Sequence, residues 1–187
     1  MMIFHDPFEE PGLRGRDPDR AVERFLVLGA GGAGAGGGWL CVQAVKQLRE
    51  EFIFPPGVSV VDTAGAGLSF LLALLGAADQ AVVIVSVWSD SKPGSIFMFN
   101  SDEIDTLPKS SFILHDETLS RALKTAESRG TCPPVTIVGV QSGSDDPRNE
   151  AMSKKMRLCL TRICNIAVDL MIDAGLTPER RLRLAVG

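Results

Sequence analysis

A chain of 187 residues is long enough for one domain with a full core and too short for two comfortable ones. Hydrophobic residues make up 45% and charged residues 22%, the balance of a globular domain, and a net charge of −4 argues against the basic face that nucleic-acid binding needs. Cys41, Cys132, Cys159 and Cys164 are scattered without a CxxC pair, so they read as small apolar residues of a reduced, cytoplasmic protein.

In chain order, residues 1–23 mix Pro7, Pro11 and Pro18 with many charges and are expected to form a flexible arm, with no apolar stretch of signal-peptide length. Residues 24–174 are expected to form a single domain and 175–187 a C-terminal tail. Strand one is placed at 24–28. After it comes Gly29-Ala30-Gly31-Gly32-Ala33-Gly34-Ala35-Gly36-Gly37-Gly38, a loop with backbone amides and no side-chain chemistry, and then a helix over 39–51. Pro55-Pro56-Gly57 makes a turn before strand two at 58–62, and the loop 63–67 leads into helix two at 68–75.

The apolar run 68–88 approaches membrane-spanning length, but Asp79 and Gln80 break it. It is read as a helix followed by a buried strand three at 81–87, with no membrane insertion. Strand four at 95–99 follows so closely that a hairpin antiparallel to strand three is expected. Residues 100–113 read as loop, 115–129 as helix, and 134–140 as strand five. Met152, Met156, Cys159, Ile163, Ile166 and Leu170 mark the core face of a last helix.

This order predicts an α/β fold, a three-layer α/β/α sandwich whose mostly parallel five-stranded sheet has one antiparallel strand. Ligands in such sheets bind beyond the carboxyl ends of the strands. That edge would gather residues 29–38, 62–67, 86–90 and 141–146, with His115 in reach.

Three chemistries can be weighed there. Residues 29–34 satisfy GxGxxG and Asp62 ends the second strand, the pattern of a dinucleotide-binding module. The glycines nevertheless run on through Gly36-Gly37-Gly38, so the helix starts too late, and no Lys-Ser or Lys-Thr follows to make a P-loop. A metal site has only His5 and His115 as imidazoles, and Asp116 and Glu117 point in different directions from His115 if all three are helical. Nucleophilic catalysis has no Gly-x-Ser-x-Gly elbow, and Cys132 precedes Pro133-Pro134 with no histidine beside it.

Several segments in order resemble the [NiFe]-hydrogenase maturation proteases, endopeptidases that trim the C-terminus of the hydrogenase large subunit. They are Val27-Leu28-Gly29-Ala30-Gly31, Val60-Val61-Asp62-Thr63-Ala64-Gly65-Ala66-Gly67-Leu68, Lys92-Pro93-Gly94-Ser95 with Ser101-Asp102-Glu103-Ile104, Leu114-His115 with Leu119, and Val135-Thr136-Ile137-Val138-Gly139-Val140-Gln141. The resemblance spans about residues 25–172. It implies an enzyme that binds a hydrogenase large-subunit precursor after nickel insertion and removes a C-terminal extension. It also implies three side chains that sense nickel. The histidine is His115, but the loop acid falls at Gly37 or Gly38, the strand-three aspartate falls at Ser86, and the usual asparagine is Gly32. Asp62 matches the aspartate of the family's Asp-Gly-Gly-Thr segment, while Thr63 and Ala64 replace its glycines.

The resemblance thus implies His115 as the one retained metal ligand, and Asp62, Thr63, Gly67, Gly31 and Gly32 as residues that meet the substrate. A dication needs several donors with compensating charge, so no cofactor is expected in the free protein, and nickel would bind weakly or through the substrate. Three functions follow as expectations: a degenerate, scaffold- or chaperone-like relative that binds a hydrogenase large subunit or another maturation factor; a divergent active endopeptidase that uses substrate-held nickel; and a dinucleotide-binding module.

Overall fold

Four apolar runs of β-branched and aliphatic residues become the parallel strands of one sheet. The computed structural model describes residues 21–31, 38–107, 112–114, 116–141 and 154–182; the assignments made for 1–20, Gly32, Gly37, His115, Met152 and 183–187 lie outside them. β1 (Phe25–Ala30) pairs in parallel with β3 (Val58–Asp62) on one side and β4 (Gln80–Ser89) on the other, and β7 (Val135–Gln141) continues the sheet beyond β4. β5 (Ile96–Asn100) closes it, antiparallel, to give the order β3-β1-β4-β7-β5. This is the expected mostly parallel five-stranded core.

Alternation along the strands divides the interior in two. Phe25, Val27, Val82, Ile84, Val138 and Val140 face α1 (Trp39–Glu51) and α4 (Lys154–Asp173). Leu26, Leu28, Val83, Val85, Val135 and Ile137 face α2 (Leu68–Ala77) and α3 (Glu117–Ser128). The α4 stripe Met156, Cys159, Ile163 and Leu170 is buried as its period requires. Among the described residues no helix is long and apolar enough to cross a membrane.

Several expectations need correction. Strand four does not form a hairpin with strand three. β4 is apolar and buried along nearly its whole length and takes parallel neighbours on both sides, so β5 is carried past β7 to the sheet's far edge. The turn that carries it there is held by Gly94 N–H donating to Gln141 O at 2.7 Å and Gln141 N–H donating to Ser95 O at 2.9 Å. The loop 100–113 contains a 3-10 turn, Ser101–Thr106, and β6 (Phe112–Leu114), which lies antiparallel on the end of β4.

Both ends of the described domain are tied down by specific contacts. Glu23 N–H and Arg24 N–H both donate to the Asp79 carboxylate, at 3.3 and 2.9 Å, and the Arg24 guanidinium pairs with it at 2.8 Å. Asp79 therefore anchors the entry to β1 rather than merely interrupting an apolar run. Beyond residue 175 the chain folds back, and β8 (Glu179–Arg180) pairs antiparallel with β2 (Phe52–Ile53) at the end of α1. Gly57 turns the chain from β2 toward β3 with φ +90, and a Cβ there would lie 1.9 Å from Glu23 O, so only glycine fits.

Candidate functional site

The carboxyl ends of β1, β3, β4 and β7 lie along one edge, and glycine sets how closely α1 approaches it. A Cβ on Gly29 would sit 2.5 Å from Val45 Cγ2 and 2.8 Å from Cys41 O, and a Cβ on Gly31 would sit 2.6 Å from Gly38 Cα. Gly38, which caps α1, therefore packs directly against Gly31. α1 begins only at Trp39, well beyond Gly34, so its first amides are not placed by the GxGxxG pattern as a dinucleotide site requires.

Thr63 hydrogen-bonds to the end of β1: its hydroxyl and its N–H both donate to Gly29 O, at 3.1 and 3.0 Å, and it is buried. The Thr63 side chain thus pins the start of the loop after β3 to the end of β1. Asp62 stays exposed and accepts the Ala64 N–H at 2.9 Å in a local turn. Gly67 caps α2, and a Cβ there would meet nothing within 4 Å, so the space before it is open. Gly31 is packed against the Gly38 backbone.

On β4, Ser86 is buried at 1% exposure. Alternation puts it on the face of Ile84, toward α1, opposite Val140 of β7. Continuing the β1–β4 register one residue past Ala30 and Val85 sets it beside Gly31, and hence near Gly38. Gly38 and Ser86 thus both stand at the carboxyl edge of the sheet, and neither bears a charge.

Two features escaped sequence reasoning. Gln141 Oε1 accepts both the N–H and the hydroxyl of Ser89, at 2.6 and 2.9 Å, and Ser89 Oγ accepts the Ser91 N–H at 3.2 Å. This cluster ties the ends of β4 and β7 together, and no motif announces it. Asp116 caps α3 by accepting the Leu119 N–H at 2.9 Å. Cys41 lies beneath the edge, its thiol pushed up to about 12 chiefly by burial, then by Cys159 and the carboxylates of Asp116 and Asp62. It is a neutral core thiol.

Residues 42–170 match the sequence model of the hydrogenase maturation proteases. The chain belongs to this family. A hydrogenase expression/formation protein HupD from Bradyrhizobium diazoefficiens is 23% identical over 160 residues, 84% of this chain and 83% of that protein. HoxM of Azotobacter vinelandii is 25% identical over 159 residues, 84% of this chain and 76% of its own length. The hydrogenase maturating endopeptidase HybD from E. coli shares the fold with a TM-score of 0.71, at 22% identity, covering 84% of this chain and 98% of that one. The maturation protease HycI from Thermococcus kodakarensis has a TM-score of 0.60 at 17% identity, covering 81% of this chain and 94% of that one.

Among the described residues, no three His, Cys, Asp or Glu side chains come together in a way that could hold a metal ion. Where the loop acid is implied, Gly38 backbone fills the space in front of Gly31, and the second position holds a buried hydroxyl. A dication left with a hydroxyl and backbone carbonyls lacks compensating charge. Gly38 and Ser86, the two described positions where the resemblance implies acids, supply no carboxylate, and His115 lies outside the described residues.

Proposed function

We propose that this family member binds a [NiFe]-hydrogenase large-subunit precursor in the cytoplasm as a scaffold or chaperone, degenerate in metal binding. The observation that carries the reading is that Gly38, packed against Gly31, and the buried Ser86 are two uncharged residues at the carboxyl edge, at positions where the resemblance implies nickel-sensing acids. Nickel is then cargo held by the precursor, and the free chain needs no cofactor. The family fold is kept, and its carboxyl edge carries the exposed Asp62 and the open space before Gly67. A family fold kept while two of the three implied metal donors are uncharged supports binding without metal-dependent cleavage.

A second reading rests on Asp62. Its exposed carboxylate at the edge is available to precursor-held nickel, which would make the chain a divergent active endopeptidase with His115 as its partner. Size-exclusion chromatography of the chain mixed with nickel-loaded precursor tests the common part. The two are expected to co-elute, and separate elution at micromolar concentrations would remove both readings.

A further inference from the structure

We propose that Phe70 and Trp88 are the aromatic anchors that seat this protein partner, one on each side of the sheet's carboxyl edge. The inference rests on the reading that the partner is a large-subunit precursor. Residues 63–78 carry no charge at all. Within them α2 buries Leu71 and Leu75 and partly covers Leu68, Leu72 and Leu74, while Ser69, Phe70, Ala73, Gly76 and Ala77 face outward. A helix that is apolar all round is ordinarily enclosed, and an uncovered apolar face marks an interaction site.

Phe70 is 49% exposed and Trp88 46%, and they are the exposed large aromatics among the described residues. Phe70 lies in the first turn of α2, which opens right after the loop from Asp62 and so stands at the carboxyl edge. Trp88 lies near the end of β4, two residues past Ser86 and therefore on the α1–α4 side. The two rings flank the edge from opposite faces of the sheet. Large aromatics supply much contact area at little rotamer cost and dominate binding energy where they occur.

A second copy of this chain fits poorly. The outward strip of a ten-residue helix covers on the order of 150 Å², against roughly 800 Å² per partner for a stable interface. A two-fold contact through α2 would also leave Trp88 bare. Sheet-to-sheet pairing at the β3 edge is obstructed, because the Arg49 guanidinium donates through Nε, at 2.9 Å, and Nη2 to Val60 O. One protein that straddles the edge covers both rings and the uncharged strip.

The chain has two tryptophans, Trp39 and Trp88, and no tyrosine, so Trp39→Phe leaves Trp88 as the sole indole reporter. Titrating nickel-loaded precursor into Trp39→Phe is expected to shift the Trp88 emission to the blue. Phe70→Glu and Trp88→Glu, made in the wild-type chain, should each raise Kd by about tenfold or more. Ile172→Glu, exposed at the far end of α4, should stay within about twofold. Unmoved emission, or wild-type affinity in both glutamate variants, overturns the inference while leaving precursor binding intact. A wild-type dimer abolished by Phe70→Glu also overturns it, in favour of a second copy. If the wild-type chain binds no precursor, the functional reading fails and takes the anchors with it.

Discussion

Gly29→Ala tests the close approach of α1 to the sheet. The new methyl would start 2.5 Å from Val45 Cγ2 and 2.8 Å from Cys41 O, where ordinary contact begins at 3.4 Å. Val45 is β-branched and buried, so its side chain has no free rotamer, and Cys41 O belongs to the helix backbone. Relief needs α1 to move outward by about 0.6–0.9 Å, the difference between those distances and 3.4 Å. Overpacking of this kind costs about 1–3 kcal/mol, and two obstructions that cannot rotate away put Gly29→Ala at the upper end, about 2–3 kcal/mol. With a urea m-value of about 2 kcal/mol/M, the unfolding midpoint falls by about 1–1.5 M at unchanged slope. Gly67→Ala is the control, because its Cβ meets nothing within 4 Å, and it should move stability by less than about 0.5 kcal/mol. A Gly29→Ala midpoint within 0.2 M of wild type, roughly the error of the measurement, would refute the packing argument.

Three further outcomes follow from particular groups. Gln80 is buried with both side-chain polar atoms lacking hydrogen-bond partners, so Gln80→Met should stabilise the fold by about 1–2 kcal/mol in thermal unfolding, and a loss would show that the amide is satisfied. Burial pushes the Cys41 and Cys164 thiols up to about 12 from 9.0. Their folded-state values lie above the unfolded ones, so the stability they contribute is complete below about pH 9 and declines as pH rises toward 12. Under native conditions at pH 8 a thiol reagent should spare both, and rapid labelling of either would contradict their enclosure. Removing residues 179–187 deletes β8, with Arg181 N–H on Glu51 O at 2.7 Å and Arg181 Nε on Phe52 O at 3.1 Å. The truncated chain should lose about 1–3 kcal/mol, and an unchanged denaturation curve would show that the ribbon adds nothing.

Much of the architecture was legible because burial writes itself into composition. The continuous apolar run of β4 announced a strand enclosed on both faces, and the α4 stripe announced a helix with one core side. The partner of β5 was hidden, since pairing depends on which edges are already taken, and a short turn looks the same whether it closes a hairpin or steps over a neighbour. The two-residue strands of the β2–β8 ribbon are too brief to carry a period. At the site, the ordered glycine and apolar segments made the family visible and put Gly38 and Ser86 at the same edge of the sheet. What sequence could not convey was that Thr63 would use its hydroxyl on Gly29 O, or that Gln141 would clamp Ser89. Both are polar residues at strand ends, where a structural pin and a ligand contact have the same appearance until the neighbouring backbone is known.

If uncharged Gly38 and Ser86 leave the family's binding surface without its metal-dependent cleavage, the precursor must survive the encounter whole. Intact mass spectrometry of nickel-loaded large-subunit precursor after incubation with this chain reads that outcome. The expected result is a precursor of unchanged mass recovered in complex with the chain. Release of a C-terminal peptide, abolished by His115→Ala, would contradict the scaffold reading and establish the chain as an active endopeptidase.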